Sequence, residues 1–157
     1  MTRSTVETLA TACADSASLI FKLIDECPDN LWSEKAGNWP IWQHVAHSAS
    51  ATDFFLPGDS VPLPQGLTPD VAGLKVVGTE PVAKAALKDY YKGAQAKIDA
   101  FLAGLSDDDL PKENQKLKGI GLNWTIAKTV TLLCGHPLYH LGNADAVLRS
   151  HGHKGIF

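Results

Sequence analysis

Apolar residues return at intervals of three and four along four stretches of the chain, the period of an amphipathic helix. Val6, Leu9, Ala10, Cys13, Ala17, Ile20, Phe21 and Ile24 mark the first, about Ser4 to Glu26, which Pro28 and the polar Asp29-Asn30 close. The second opens near Asn38 as an N-cap, has Pro40 in its first turn, and runs to about Leu56 before Pro57-Gly58. The third, about Glu80 to Leu105, has Pro81 in its first turn and Val82, Ala86, Tyr90, Ala94, Ile98, Phe101, Leu102 and Leu105 on its inner face. The fourth runs from about Asn123 or Trp124 to Arg149, and a Gly- and His-rich tail follows. An irregular connection, about Pro57 to Thr79, separates the second from the third and carries Pro57, Pro62, Pro64 and Pro69. Its length suits a functional flap or a short extra helix around Thr68 to Leu74. The only β-branched patch, Leu74 to Val77, is short and isolated. The pattern predicts an all-α chain folded as a four-helix bundle with a long second connection.

Composition narrows the class. The 157 residues favour one domain over 1–157, large enough to hold a core without a disulfide or structural metal. Lys and Arg total 14 against 17 Asp and Glu, a net charge of -3, which argues against a nucleic-acid binder. No apolar run approaches the roughly 20 residues that span a bilayer. Glu7 and Asp15 interrupt what would have to be an uncharged signal core, so the expected location is the cytoplasm, without membrane attachment. Cys13, Cys27 and Cys134 cannot all pair within one chain and form no Cys-x-x-Cys motif; reduced thiols are expected.

The histidines fall in three pairs: His44 and His47, His136 and His140, His151 and His153. His136 and His140, four apart on a helix, point the same way, offset by about 40° and about 6 Å along the axis. Two imidazoles so placed can share one metal ion. The glutamate of a zinc-protease helix is missing, which excludes that chemistry. A third ligand would come from the second helix, where His44 and His47 compete among small apolar neighbours. Cys134 lies about 200° around the helix from His136, facing a neighbour rather than the metal. His151 and His153 read as exposed tail residues. The four tryptophans read as core or helix-end packing, and Tyr90 and Tyr91 divide between core and pocket.

The segment Trp39-Pro40-Ile41-Trp42-Gln43-His44-Val45-Ala46-His47 resembles the second-helix motif of the DinB-like, or YfiT-like, family. In that motif a tryptophan precedes the metal-binding histidine by eight positions, which selects His47. His136-x-x-x-His140-x-Gly142-Asn143 resembles the family's fourth-helix motif, with Asn143 where glutamine is common and Leu141 where a basic residue is common. The resemblance covers essentially the whole chain. It implies an up-down-down-up four-helix bundle with a metal held by His47, His136 and His140. Pro137, inside the second motif, is expected to kink the helix or to mark where its regular part begins.

Three imidazoles on a divalent ion leave a coordination position open, which suits catalysis more than structure. Zinc is the default ion, and nickel also suits imidazole. The resemblance implies a thiol-dependent S-transferase or related isomerase, acting on a small molecule with a low-molecular-weight thiol as partner. The alternatives are a metal-dependent hydrolase using metal-bound hydroxide and a metal-binding bundle without catalysis. No catalytic residue beyond the ligands is identifiable, and a homodimer is left open.

Overall fold

The computed structural model describes residues 2–157. Four long helices dominate it: α1 (Ser4–Glu26), α2 (Ile41–Phe55), α4 (Lys84–Ala103) and α6 (Ile126–Ser150). Two single-turn helices, α3 (Pro69–Ala72) and α5 (Gln115–Lys118), interrupt the connections, and a two-stranded hairpin, β1 (Lys35–Ala36) and β2 (Trp39–Pro40), precedes α2. One half of the core joins Ile20, Leu23 and Ile24 of α1 to Leu141, Ala144 and Leu148 of α6, with Ile41, Val45, Leu87 and Tyr91 from the other helices. The other half joins Val6 and Cys13 to Val130 and Leu133, with Phe55, Ile98 and Leu102. α1 and α6 therefore run one way and α2 and α4 the other, the up-down-down-up order. Each fully buried Ile or Leu in these layers contributes about 1.5–3 kcal/mol.

The first helix has the bounds its periodicity predicts. The second begins later, because Ala36-Gly37-Asn38-Trp39 closes the hairpin rather than capping a helix. Gly37 takes φ +71°, the left-handed conformation that such a two-residue loop requires. The loop before α2 also serves its first turn: Glu34 O accepts from Ile41 N–H at 3.0 Å and Trp32 O from Trp42 N–H at 3.1 Å. Two amides that a helix leaves without internal partners are thereby satisfied. The third long helix starts at Lys84, not near Glu80, and the fourth at Ile126 behind Thr125, whose side chain accepts from Lys128 N–H. Leu74 to Val77 forms no strand.

α6 continues through Pro137 without a break. Proline removes a donor there, but the preceding turn is tied from outside, where Ser16 Oγ donates to Cys134 O at 2.7 Å. The sulfurs of Cys13 and Cys134 are bonded, where α1 and α6 approach to 4.3 Å between their Cα atoms. That corrects the expectation of reduced thiols for this pair and removes the redox argument for a reducing compartment. Cys134 does face a neighbour, as its helical angle requires. Cys27 is free and buried, and burial pushes its thiol up to about 11. Among the described residues, no helix is long and apolar enough to cross a membrane.

Candidate metal centre

Four histidines meet where the N-terminal half of α2 faces the middle of α6. Their placement follows from helical spacing: residues three apart on α2 and four apart on α6 share a face. The ring centroids of His136 and His140 lie 4.5 Å apart, so Pro137 does not separate them. His47 comes across from α2, with its ring 5.0 Å from His136 and 4.8 Å from His140. One ring nitrogen from each of His47, His136 and His140 lies within 4.8 Å of the others.

The distances suit one shared ion. His136 Nε2 and His140 Nε2 are 3.2 Å apart. Two imidazole ligands at about 2.0–2.1 Å from a tetrahedral ion would be separated by about 3.3–3.4 Å. His47 Nδ1 donates to Ala72 O at 2.9 Å, which leaves its Nε2 with the free lone pair. Ala72 belongs to α3, so the long connection orients this candidate ligand through a main-chain carbonyl. This is the common arrangement of a metal-binding histidine, with one nitrogen toward the ion and the other tied to an acceptor.

Burial keeps these rings neutral. Loss of hydration lowers His47, His136 and His140 below the ordinary histidine range, His136 to about 4, and neighbouring imidazoles add to the effect. Neutral imidazole is the form that ligates, so no proton has to be displaced at neutral pH. All three donors are borderline nitrogen ligands, a set that suits zinc and other late transition metals. The residues fit a divalent ion.

His44 is not free to join them. Its Nδ1 is 2.7 Å from His140 Nδ1, its Nε2 is 2.7 Å from Ala36 O, and its side chain is 3% exposed. Both ring nitrogens are engaged away from the shared point. His151 and His153 are exposed just beyond the C-terminal end of α6, and His151 Nδ1 bonds Val147 O in the last turn of that helix.

A hollow of about 400 Å³ opens over the three imidazoles, walled by Trp39, Leu74, Tyr139 and Asn143. Asn143 bonds Tyr139 O in its own helix at 2.9 Å and makes no hydrogen bond to the three candidate histidines. A second hollow of about 550 Å³ lies on the other side of His47, under the connection, with Phe54, Val61, Leu63 and Tyr90 in its walls. Tyr90 thus takes the pocket position, while Tyr91 packs edge-on against Phe21 in the core.

The connection is tied down by a residue that sequence reasoning passed over. Gln43 is fully buried; its Nε2 donates to Val71 O at 2.8 Å and Val76 O at 2.7 Å, and its Oε1 accepts from Gly78 N–H at 3.0 Å. Its signal was a long polar side chain on the apolar stretch Ile41 to Ala46. Gly78 passes so close to Trp42 that a Cβ there would meet the indole at 2.3 Å, which explains the glycine. Between these ties Leu74 is held at φ +58° at the rim of the first hollow, a conformation non-glycine residues seldom adopt.

A family model for the DinB superfamily matches residues 14–144. The chain belongs to the DinB superfamily. No curated protein and no solved structure matches it. The match covers both motif segments and all four histidines of the cluster, and leaves Cys13 and the tail from Asp145 outside.

Proposed function

We propose that this DinB-superfamily chain, as one domain, is a metal-dependent enzyme with a divalent ion, zinc first, held by His47, His136 and His140. The observation that carries this reading is the convergence of three neutral imidazoles, His140 buried and His47 and His136 half-buried, beneath an accessible hollow. A purely structural site is usually closed by a fourth protein ligand. Here the fourth histidine is turned to other partners.

An ion bound there would supply Lewis-acid activation of a thiol or of water. Thiol transfer is the reading we favour. Among the described residues, the walls of the hollow carry no carboxylate to act as general base, which a hydrolase would use to manage its water. A thiol needs no such group, because coordination alone deprotonates it. Trp39, Leu74 and Tyr139 would hold the body of a small molecule against the open side of the centre, and Asn143 would offer it a hydrogen bond.

Elemental analysis of untagged protein tests the ligand set. About one divalent ion per chain is expected, and His47→Ala, His136→Ala and His140→Ala should each lose most of it. Full retention in any of the three would remove that residue from the set. For the chemistry, the cobalt-substituted protein should develop a thiolate charge-transfer band with a low-molecular-weight thiol. Bacillithiol, mycothiol, glutathione and coenzyme A all failing to produce it would turn the reading to hydrolysis, with ester and amide substrates as its test.

A further inference from the structure

We propose that His44 is a positioning residue for His140: it accepts the Nδ1–H of His140 and thereby aims the Nε2 lone pair of that ring at the point shared with His47 and His136. The assignment follows from counting protons. Ala36 O can only accept, so the 2.7 Å contact from His44 Nε2 places a hydrogen on that nitrogen. A neutral imidazole carries one ring proton, which leaves His44 Nδ1 as a lone pair. The 2.7 Å contact between His44 Nδ1 and His140 Nδ1 then requires the hydrogen to sit on His140 Nδ1. His140 Nε2 is left unprotonated, facing His136 Nε2 at 3.2 Å.

The relay is built into the fold. Ala36 is held by the β1–β2 pairing, whose turn depends on Gly37, so the carbonyl at the end of the chain is fixed by the hairpin. His44 and His140 are each 3% exposed, so water does not compete for either ring. Trp39, also in the hairpin, meets the His44 ring edge-on with centroids 6.3 Å apart. His47 reaches the same result through Ala72 O. The two ligands are thus oriented by two different connections, one directly and one through a second imidazole.

The tautomer assignment stands on the hydrogen bonds alone; its consequence for affinity rests on the metal reading above. Nitrogen-15 NMR of histidine-labelled, metal-free protein tests the first part. His140 should show a protonated Nδ1 and a bare Nε2, and His44 the reverse. A His140 ring protonated on Nε2, or a His44 ring protonated on Nδ1, overturns the proposal whether or not the protein binds metal.

Two variants test the second part. His44→Asn keeps an acceptor near the δ position, whereas His44→Phe keeps the ring and removes both nitrogens. Chelator competition with zinc should show a loss of about 10–100-fold for His44→Phe, the effect expected for the partner of a metal ligand. His44→Asn should recover most of it and keep the Nδ1–H form of His140. Equal affinity in wild type and both variants overturns the positioning role. If His44→Phe does not fold, His44→Asn decides: an Nε2-protonated His140 in that variant also overturns it. A wild-type protein that binds no metal defeats the metal reading and leaves the relay to be judged by its tautomers.

Discussion

The two ends of the bundle use their connections in opposite ways. At the histidine end, main-chain groups of the connections take up side chains from the helices: Ala36 O for His44, Ala72 O for His47, and Val71, Val76 and Gly78 for Gln43. At the other end, side chains from the connections take up main-chain groups of the helices. Asn114 Nδ2 donates to Phe55 O at 3.0 Å, Lys116 Nζ to Leu56 O at 2.7 Å, and Asp107 accepts from the amides of Thr5 and Val6. Arg3, ahead of α1, does the same for α4, donating to Leu102 O and Ala103 O. The first arrangement orients functional groups, and the second closes helix ends. Changes at the first should therefore alter the site before the fold, and changes at the second the fold without the site.

The largest effect expected on the fold side is loss of the Cys13–Cys134 bond, which spans 121 residues of sequence. Chain entropy gives a loop of that order a stabilisation of about 4–5 kcal/mol, and native disulfides contribute about 2–5 kcal/mol in practice. Urea unfolding with and without reductant should show a loss in that range, with any metal uptake by the three candidate histidines unchanged. An unchanged midpoint, or loss of metal before unfolding, would break the division between the two ends.

Next in size is Gln43→Leu, which removes three hydrogen bonds while conserving volume. Unpaired partners at a partly buried site should cost about 2–3 kcal/mol in total. The loss should be read locally: limited proteolysis should open the 71–78 segment well below the melting temperature. Uniform protection of that segment would mean that Gln43 does not hold it.

Acid sharpens the comparison at the site itself. In metal-free protein, burial holds His136 at about 4, below the usual histidine value of about 6.5. The unfolded chain therefore binds the extra proton first, and stability present above about pH 6.5 is lost as pH falls through about 4. Discounted for the partial exposure of the ring, His136 should account for about 1–2 kcal/mol of that loss. His136→Gln, compared by urea unfolding across this range, should show a shallower decline; an identical slope would assign the decline to other groups.

The sequence carried the helical period, the histidine spacing and the long connection, because each is a repeat or contrast along one dimension. Four helices and the His136–His140 pair were legible on that basis, while the choice of His47 over His44 as third candidate came from the family resemblance. The hairpin was hidden in plain text, since Gly37-Asn38 is a two-residue turn signal as well as a place for a cap. Its neighbour Pro40 tilted the reading toward a helix start. The roles of His44 and Gln43 were not legible, because each depends on a carbonyl brought in by another segment, and carbonyls carry no residue identity. The Cys13–Cys134 bond depends on α1 and α6 approaching to 4.3 Å at those two residues, a register between helices that neither the period nor the helix order supplies. Pro137 was expected to disturb the centre; Ser16, on a different helix, ties the turn ahead of it.

The smallest effect belongs at the closing end of the bundle. Thr125 caps α6, its hydroxyl oxygen accepting from Lys128 N–H at 3.2 Å, and its carbonyl accepts from Thr129 N–H at 3.0 Å as the helix begins. Thr125→Ala removes the first bond and leaves the second, which costs about 1 kcal/mol for a typical N-cap. α6 also carries His136 and His140, so this variant asks whether a weakened helix start reaches the site. Those rings are fixed locally, His140 by His44 and His136 by His140, about three turns beyond the cap. The expected outcome is a small fall in melting temperature, an unchanged zinc affinity in chelator competition, and unchanged nitrogen-15 tautomers for His140. A several-fold loss of zinc affinity from Thr125→Ala would show the two ends to be coupled along α6, and the division of labour between them would fail.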